Sequence, residues 1–199
     1  MKTIEVKVYE FDELSDSSKQ VALEEFAEIN IEFDWYEPIY EGCMEEAVEA
    51  GFQIDKIYFS GFWSQGDGAM FTYTGLDRKL LEQAVNTLTI PDWKKNILRN
   101  GYLSGSGKRA GRYYHSRSCS HHIRVETDNG MQLYPNIENL FCKYEEQIED
   151  YIIDLYENLC NSLYENLRAY YNELTSEDYV ISTIKESGYV FTEDGKVFA

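Results

Sequence analysis

Residues 52–74 read FQIDKIYFSGFWSQGDGAMFTYT. The flanks, 52–62 and 69–74, are dense in Ile, Phe, Tyr and Thr, the residue types that fit a pleated, half-buried surface. Between them Ser64-Gln65-Gly66-Asp67-Gly68 is compact and polar, and its glycines predict a tight turn using the positive φ that hairpins require. Strand, turn and returning strand make a hairpin, the unit of an antiparallel sheet. Upstream, strict alternation over 3–11 predicts another half-buried strand. A helix follows from an N-cap at Ser15 to about Asn30, and a second spans 34–50, with Pro38 in its first turn and Gly51 as its stop. Downstream, 76–87 and 92–99 read as short helices, and GYLSGSG at 101–107 as a flexible loop. Residues 112–116 and 121–127 read as a second hairpin, followed by a turn at Asp128-Asn129-Gly130. From Asn136 an apolar stripe including Leu140, Tyr144, Ile148, Ile152, Leu155, Leu159 and Leu163 predicts one long helix near 136–172. Ser176 opens a shorter helix that Gly188 ends, and 189–198 reads as a small hairpin around Asp194-Gly195. The fold class is therefore α+β: an antiparallel sheet built from hairpins, with helices packed mainly on one face. No Pro-, Gly- or Ser-rich linker divides the chain, so 1–199 is expected to form a single α+β domain.

The 199 residues carry 18 Lys and Arg against 36 Asp and Glu, a net charge of −18. Apolar residues at 43% and aromatics at 15% supply too much core material for an acidic disordered chain. No apolar run approaches the roughly 18–20 residues of a membrane span, and the N-terminus lacks the apolar stretch of a signal peptide. Cys43, Cys119, Cys142 and Cys160 are scattered, which predicts free thiols in a reducing compartment. These features predict a cytosolic protein with no membrane partner.

The charge is unevenly spread. Between Asp92 and Arg124 lie eight basic residues, Lys94, Lys95, Arg99, Lys108, Arg109, Arg112, Arg117 and Arg124, together with all three histidines and one acid. That window carries +7 and the rest of the chain −25. The island is either an internal counter-charge for the acidic helices or a site for a phosphate-bearing ligand, nucleotide or nucleic acid. The acidic remainder disfavours loose binding along DNA but permits a focused nucleic-acid contact at 94–124.

Several clusters carry candidate chemistry. Phe62 and Trp63 are stacking platforms or core cover, and Gln65 and Asp67 are hydrogen-bonding groups or turn residues. Arg112-Tyr113-Tyr114-His115-Ser116-Arg117 alternates basic and aromatic residues. On a strand, Arg112, Tyr114 and Ser116 would share one face, and Tyr113, His115 and Arg117 the other. Such a face suits phosphate or base contact, with His115 able to serve as general acid or base; a solvated edge strand is the competing reading. Cys119, His121 and His122 are metal-ligand types, but neighbours on a strand point to opposite faces and no second cluster completes a site; no metal is expected. SGSGKR at 104–109 fails as a phosphate loop, because its spacing is wrong and it leads into a strand rather than a helix. The acidic face of the long helix, from Glu138 through Glu145, Glu149, Asp154 and Glu157 to Glu165, reads as solvated or as a nucleic-acid mimic.

Three stretches together resemble a family of uncharacterised tailed-bacteriophage proteins: FDELSDSSK at 11–19, IYFSGFWSQGDGA at 57–69, and LTSED at 174–178 followed by GYVFTEDG at 188–195. A Tyr-His-Ser, here Tyr114-His115-Ser116, follows a Gly-Arg pair in that family as Gly111-Arg112 precedes it here. The resemblance spans nearly the whole chain and singles out Gln65, Asp67, Tyr114, His115 and Ser116. It implies a viral accessory protein for host takeover or counter-defence in the host cytoplasm. The expected action is binding: a host or defence protein, or a nucleotide-type anionic ligand held by Phe62, Trp63, Gln65, Arg112, Tyr114, Ser116 and Arg117. The alternative is a nucleic-acid-cleaving enzyme, a nuclease or nicking activity, using His115 with Asp67. Only that alternative calls for a cofactor, a divalent cation.

Overall fold

The computed structural model describes residues 5–127 and 135–198. In chain order its elements are α1 (Asp16–Phe26), α2 (Glu37–Ala50), β1 (Phe52–Phe59), β2 (Ala69–Leu76), α3 (Arg78–Thr87), α4 (Asp92–Arg99), β3 (Tyr102–Arg109), β4 (Cys119–Glu126), α5 (Pro135–Leu174) and α6 (Glu177–Glu186). The strands form one antiparallel sheet in the order β1-β2-β3-β4. The fold is α+β, with the sheet built from hairpins and with one long helix. Contacts sort the described residues into two compact units, one within 38–166 and one within 1–37 and 167–199.

The sheet unit is organised around β2. Phe52, Phe71 and Tyr73 are buried on one face, and Tyr156 of α5 lies against all three with ring centroids 4.8–6.2 Å away. The buried Tyr156 hydroxyl donates to the Phe71 carbonyl at 2.8 Å, which satisfies the one polar atom that this ring brings inside. His121 completes the cluster. Its ring stacks on Tyr73, meets Tyr156 edge-on at 4.6 Å, and places Nδ1 2.9 Å from the Tyr73 hydroxyl. On the opposite face of β3 and β4, Lys108, Ser120, His122 and Arg124 are exposed.

The segment 101–107 is not a flexible loop: most of it lies in β3, paired in register with β4 from Tyr102↔Glu126 to Arg109↔Cys119. Its glycines mark close packing. A Cβ on Gly105 would stand 2.6 Å from Leu76 Cδ1, and one on Gly107 would collide with the Tyr73 ring. Conversely, 112–116 is not a strand but part of the connection between β3 and β4, ending in a 3₁₀ turn at Ser116–Ser118. Ala110 N–H donates to the Ser118 carbonyl at 2.8 Å and closes that connection. The α5 stripe is buried as expected at Tyr144, Ile148, Ile152 and Leu163, but in its middle Tyr156 and Cys160 are fully buried whereas Leu155 and Leu159 are only half-buried. There a polar-tipped Tyr and a small Cys fit beneath the strand aromatics where Leu155 and Leu159 were expected. The predicted turn at Asp128-Asn129-Gly130 lies outside the described residues.

In the second unit, Ser15 caps α1 by accepting from Ser18 N–H, and Ser176 caps α6 by accepting from Tyr179 N–H. Phe11, Leu14, Ala22, Val180, Ile184 and Phe191 form its core. The expected strand over 3–11 is not a strand in its described part. Tyr9 alone forms a bridge, exchanging two 2.8 Å backbone hydrogen bonds with Phe191, and a 3₁₀ turn follows at Phe11–Glu13. Its partner is the short terminal turn, where Phe191 also bridges Val197, so among the described residues it has only this short partner to pair with. Gly195 has φ +85°, and a Cβ there would run into the Ser18 carbonyl, whose neighbouring hydroxyl donates to Glu193 O at 2.7 Å.

Gly188 has φ +69° with open space around it, so Gly188→Ala should cost about 1 kcal/mol. Gly195→Ala adds a backbone collision and should cost about 2–4 kcal/mol; urea denaturation of both variants measures the difference. Burial holds His121 below its usual pKa of 6.5, so the unfolded chain takes up the proton first. Stability should therefore fall as pH drops below about 6.5, by at most about 1.4 kcal/mol per unit. His121→Gln should flatten that slope between pH 7 and pH 5.5 in the same denaturation experiment.

Candidate functional site

The β1–β2 turn is built by Asp67. Its Oδ2 accepts from the backbone N–H groups of Trp63 at 2.9 Å and Ser64 at 2.7 Å, and its own N–H donates to Ser64 O at 3.0 Å. The chain reverses at Gly61, φ +118°, where a side chain would face the Asp67 carboxylate 3.2 Å away. Gly66 and Gly68 do not have positive φ. They are small for a different reason: a Cβ on Gly66 would stand 2.5 Å from the Tyr113 ring, and one on Gly68 would stand 2.7 Å from His115 Nδ1 and 2.9 Å from Tyr114 O. Alternate glycines of the first turn thus seat alternate residues of the second. The motif expected to shape a turn is also a docking surface for the β3–β4 connection.

That connection is clamped from the side by aromatic contacts. Tyr114 packs on Tyr58 with centroids 5.4 Å apart, and the Arg109 guanidinium lies over both rings at 5.3 and 5.4 Å. Arg112 lies 4.9 Å over Tyr113. These cation–π contacts assign Arg109, Arg112 and Tyr114 to holding the loop. Beyond the clamp the chain turns, with Ser118 N–H donating to His115 O at 2.8 Å.

A cleft of about 460 Å³ opens where these elements meet. Asp67, Gly68 and Ala69 form one side, and His115, Ser116, Arg117 and Ser118 a second. The third wall is α5, through Glu157, Cys160, Asn161 and Tyr164. Spacing of i, i+3, i+4 and i+7 places those four on one helix face. Of the residues singled out in the sequence, Asp67, His115, Ser116 and Arg117 line the cleft. Arg112, Tyr114, Phe62, Trp63 and Gln65 do not. Phe62 packs on Phe59 at 4.9 Å and against the cleft residue Tyr164 at 5.6 Å, Trp63 is 80% exposed, and Gln65 is exposed.

The α5 wall was missed in the sequence because Glu157 sits within a run of acids and Asn161 is an ordinary exposed helix residue; only the three-dimensional meeting with His115 distinguishes them. Burial pushes the Cys160 thiol up to about 12, which disfavours its thiolate at neutral pH. Burial likewise raises the Cys119 thiol. Among the described residues no three His, Cys, Asp or Glu side chains gather as a metal site, and no described helix is long and apolar enough to cross a membrane.

None of the eight basic residues of the 92–124 island forms an ion pair with a described carboxylate. Lys95 and Arg99 instead reach backbone or amide oxygens of Asn86 and Asn96, and Arg117 lines the cleft with no described carboxylate paired to it.

Comparison with known proteins gives one positive result: a family model described as Domain of unknown function (DUF8835) matches residues 35–177. Neither the curated proteins nor the solved structures contain a match. The matched span is well over half of the chain and includes all three walls of the cleft. The chain belongs to the family described as Domain of unknown function (DUF8835).

Proposed function

We propose that the protein binds a small phosphate-bearing, nucleotide-type anion in the cleft between the Asp67–Gly68 turn, the His115–Ser118 turn and α5. The observation that carries this reading is the convergence of two turns, nearly fifty residues apart, on one concave site that holds His115, Ser116 and Arg117. A guanidinium with no described carboxylate partner supplies charge-assisted donors, and the serine hydroxyl and imidazole add directional ones. The volume lies within the range of roughly 300–1,000 Å³ typical of small-molecule sites. With a net charge of −18, the surface as a whole repels a long polyanion, which favours a short ligand over extended nucleic acid. The resemblance to tailed-phage proteins supports an accessory role in the host cytoplasm, in takeover or counter-defence, with the bound anion as what the protein senses or withdraws.

A second reading, cleavage of a phosphate ester, is favoured by one observation: a carboxylate, Glu157, shares the cleft with His115. Asp67, the carboxylate first paired with His115, has one oxygen engaged by two backbone amides and acts chiefly as the turn's tie. Under this reading His115 and Glu157 would move protons while Arg117 holds the phosphate.

Calorimetric titration with adenosine 5′-monophosphate and with inorganic phosphate tests binding. Arg117→Ala should weaken binding about 10- to 100-fold, the loss of one charge-assisted contact of roughly 1.5–3 kcal/mol, with little change in stability because Arg117 is exposed. Gly68→Ala should weaken binding by displacing His115, while Gly111→Ala, with only Ser118 Oγ at 4.0 Å, should not. Hydrolysis of the monophosphate or nicking of plasmid DNA that is lost in both His115→Ala and Glu157→Gln would establish the second reading.

A further inference from the structure

The two long walls of the cleft differ in chemistry. The loop wall presents His115, Ser116 and Arg117, whereas the facing helix presents Glu157, Asn161 and Tyr164. Along α5 the seven-residue span from Glu157 to Tyr164 is about 10 Å, comparable to the length of a mononucleotide. A carboxylate is acceptor-only: it takes hydroxyl or amine donors and repels phosphate oxygens. Glu157 forms no ion pair with any described cation, and of the two carboxylates lining the cleft it is the one not tied to the turn, since Asp67 Oδ2 accepts from two backbone N–H groups. Asn161 beside it is exposed and offers both donors and an acceptor. One wall thus suits a single phosphate, and the other suits a neutral, hydroxyl-bearing group while opposing a second phosphate.

Resting on the proposed anion-binding function, we infer that the ligand is a monophosphate ester of a hydroxylated group, a nucleoside monophosphate or sugar phosphate, and that Glu157 is the residue that selects against di- and triphosphates. The phosphate lies at Ser116 and Arg117, and the sugar hydroxyls face Glu157 and Asn161. Negative charge beyond the first phosphate meets the carboxylate, so specificity comes from repulsion as well as attraction.

The test is calorimetric titration of the full chain with adenosine mono-, di- and triphosphate, ribose 5-phosphate and inorganic phosphate, repeated on Glu157→Gln and Asn161→Ala. The wild type should bind the monophosphate at least 10-fold tighter than the diphosphate and tighter than inorganic phosphate. Glu157→Gln should cut the mono-over-diphosphate preference to less than 3-fold, chiefly by tightening the diphosphate. Asn161→Ala should weaken the monophosphate and leave inorganic phosphate unchanged. Ribose 5-phosphate binding as tightly as adenosine monophosphate would identify a sugar phosphate, and weaker binding a nucleotide. Binding of the diphosphate as tightly as the monophosphate, or a preference unaltered by Glu157→Gln, would overturn the inference while leaving anion binding standing. Absence of binding by all five compounds would overturn the anion-binding function and this inference with it. Thermal unfolding of each variant separates these outcomes from loss of fold, since Glu157 and Asn161 lie outside the buried face of α5.

Discussion

The sheet unit depends on one buried hydrogen bond, from the Tyr156 hydroxyl to the Phe71 carbonyl. Rings from β1, β2, β4 and α5 close around it, so the bond lies in a low-dielectric interior where an unmade partner is costly. It also sets the rotation of α5 about its own axis. With Tyr156 and Cys160 turned beneath β2, Glu157, Asn161 and Tyr164 come round to the cleft. A helix rotated to bury Leu155 and Leu159 would present different residues there.

The second constraint is steric. Gly66 and Gly68 leave just enough room for Tyr113 and His115, and the Tyr58–Arg109–Tyr114 stack holds the connection down from the side. Three of the basic residues that made the central segment conspicuous divide the work: Arg109 and Arg112 brace the loop, and Arg117 faces the cleft. Positive charge in a sequence marks a region; ring contacts and cleft geometry decide which cation is available to a ligand.

The hairpin at 52–74, the N-caps at Ser15 and Ser176 and the long helix were legible because each rests on local chemistry: side-chain period, capping hydroxyls and β-branched density. The errors fall where partners distant in sequence decide. GYLSGSG has a loop's composition, yet Tyr73 and Leu76 need the space its glycines leave, and the result is a paired strand. Residues 112–116 alternate like a strand but are captured as a loop by Tyr58 and the glycine turn. At the site, Asp67, His115, Ser116 and Arg117 could be singled out from motif and charge. Glu157 and Asn161 could not, because nothing in an acidic helix marks the two residues that a loop forty residues earlier will face.

The central claim is that the cleft between these three walls is where the ligand sits. Two-dimensional amide NMR of the full chain, titrated with adenosine 5′-monophosphate, tests it most directly. The account predicts saturable shifts centred on Gly68, residues 115–118 and residues 157–164, abolished in Arg117→Ala. Shifts centred instead on the exposed face of β3 and β4, or none at millimolar ligand, would contradict it.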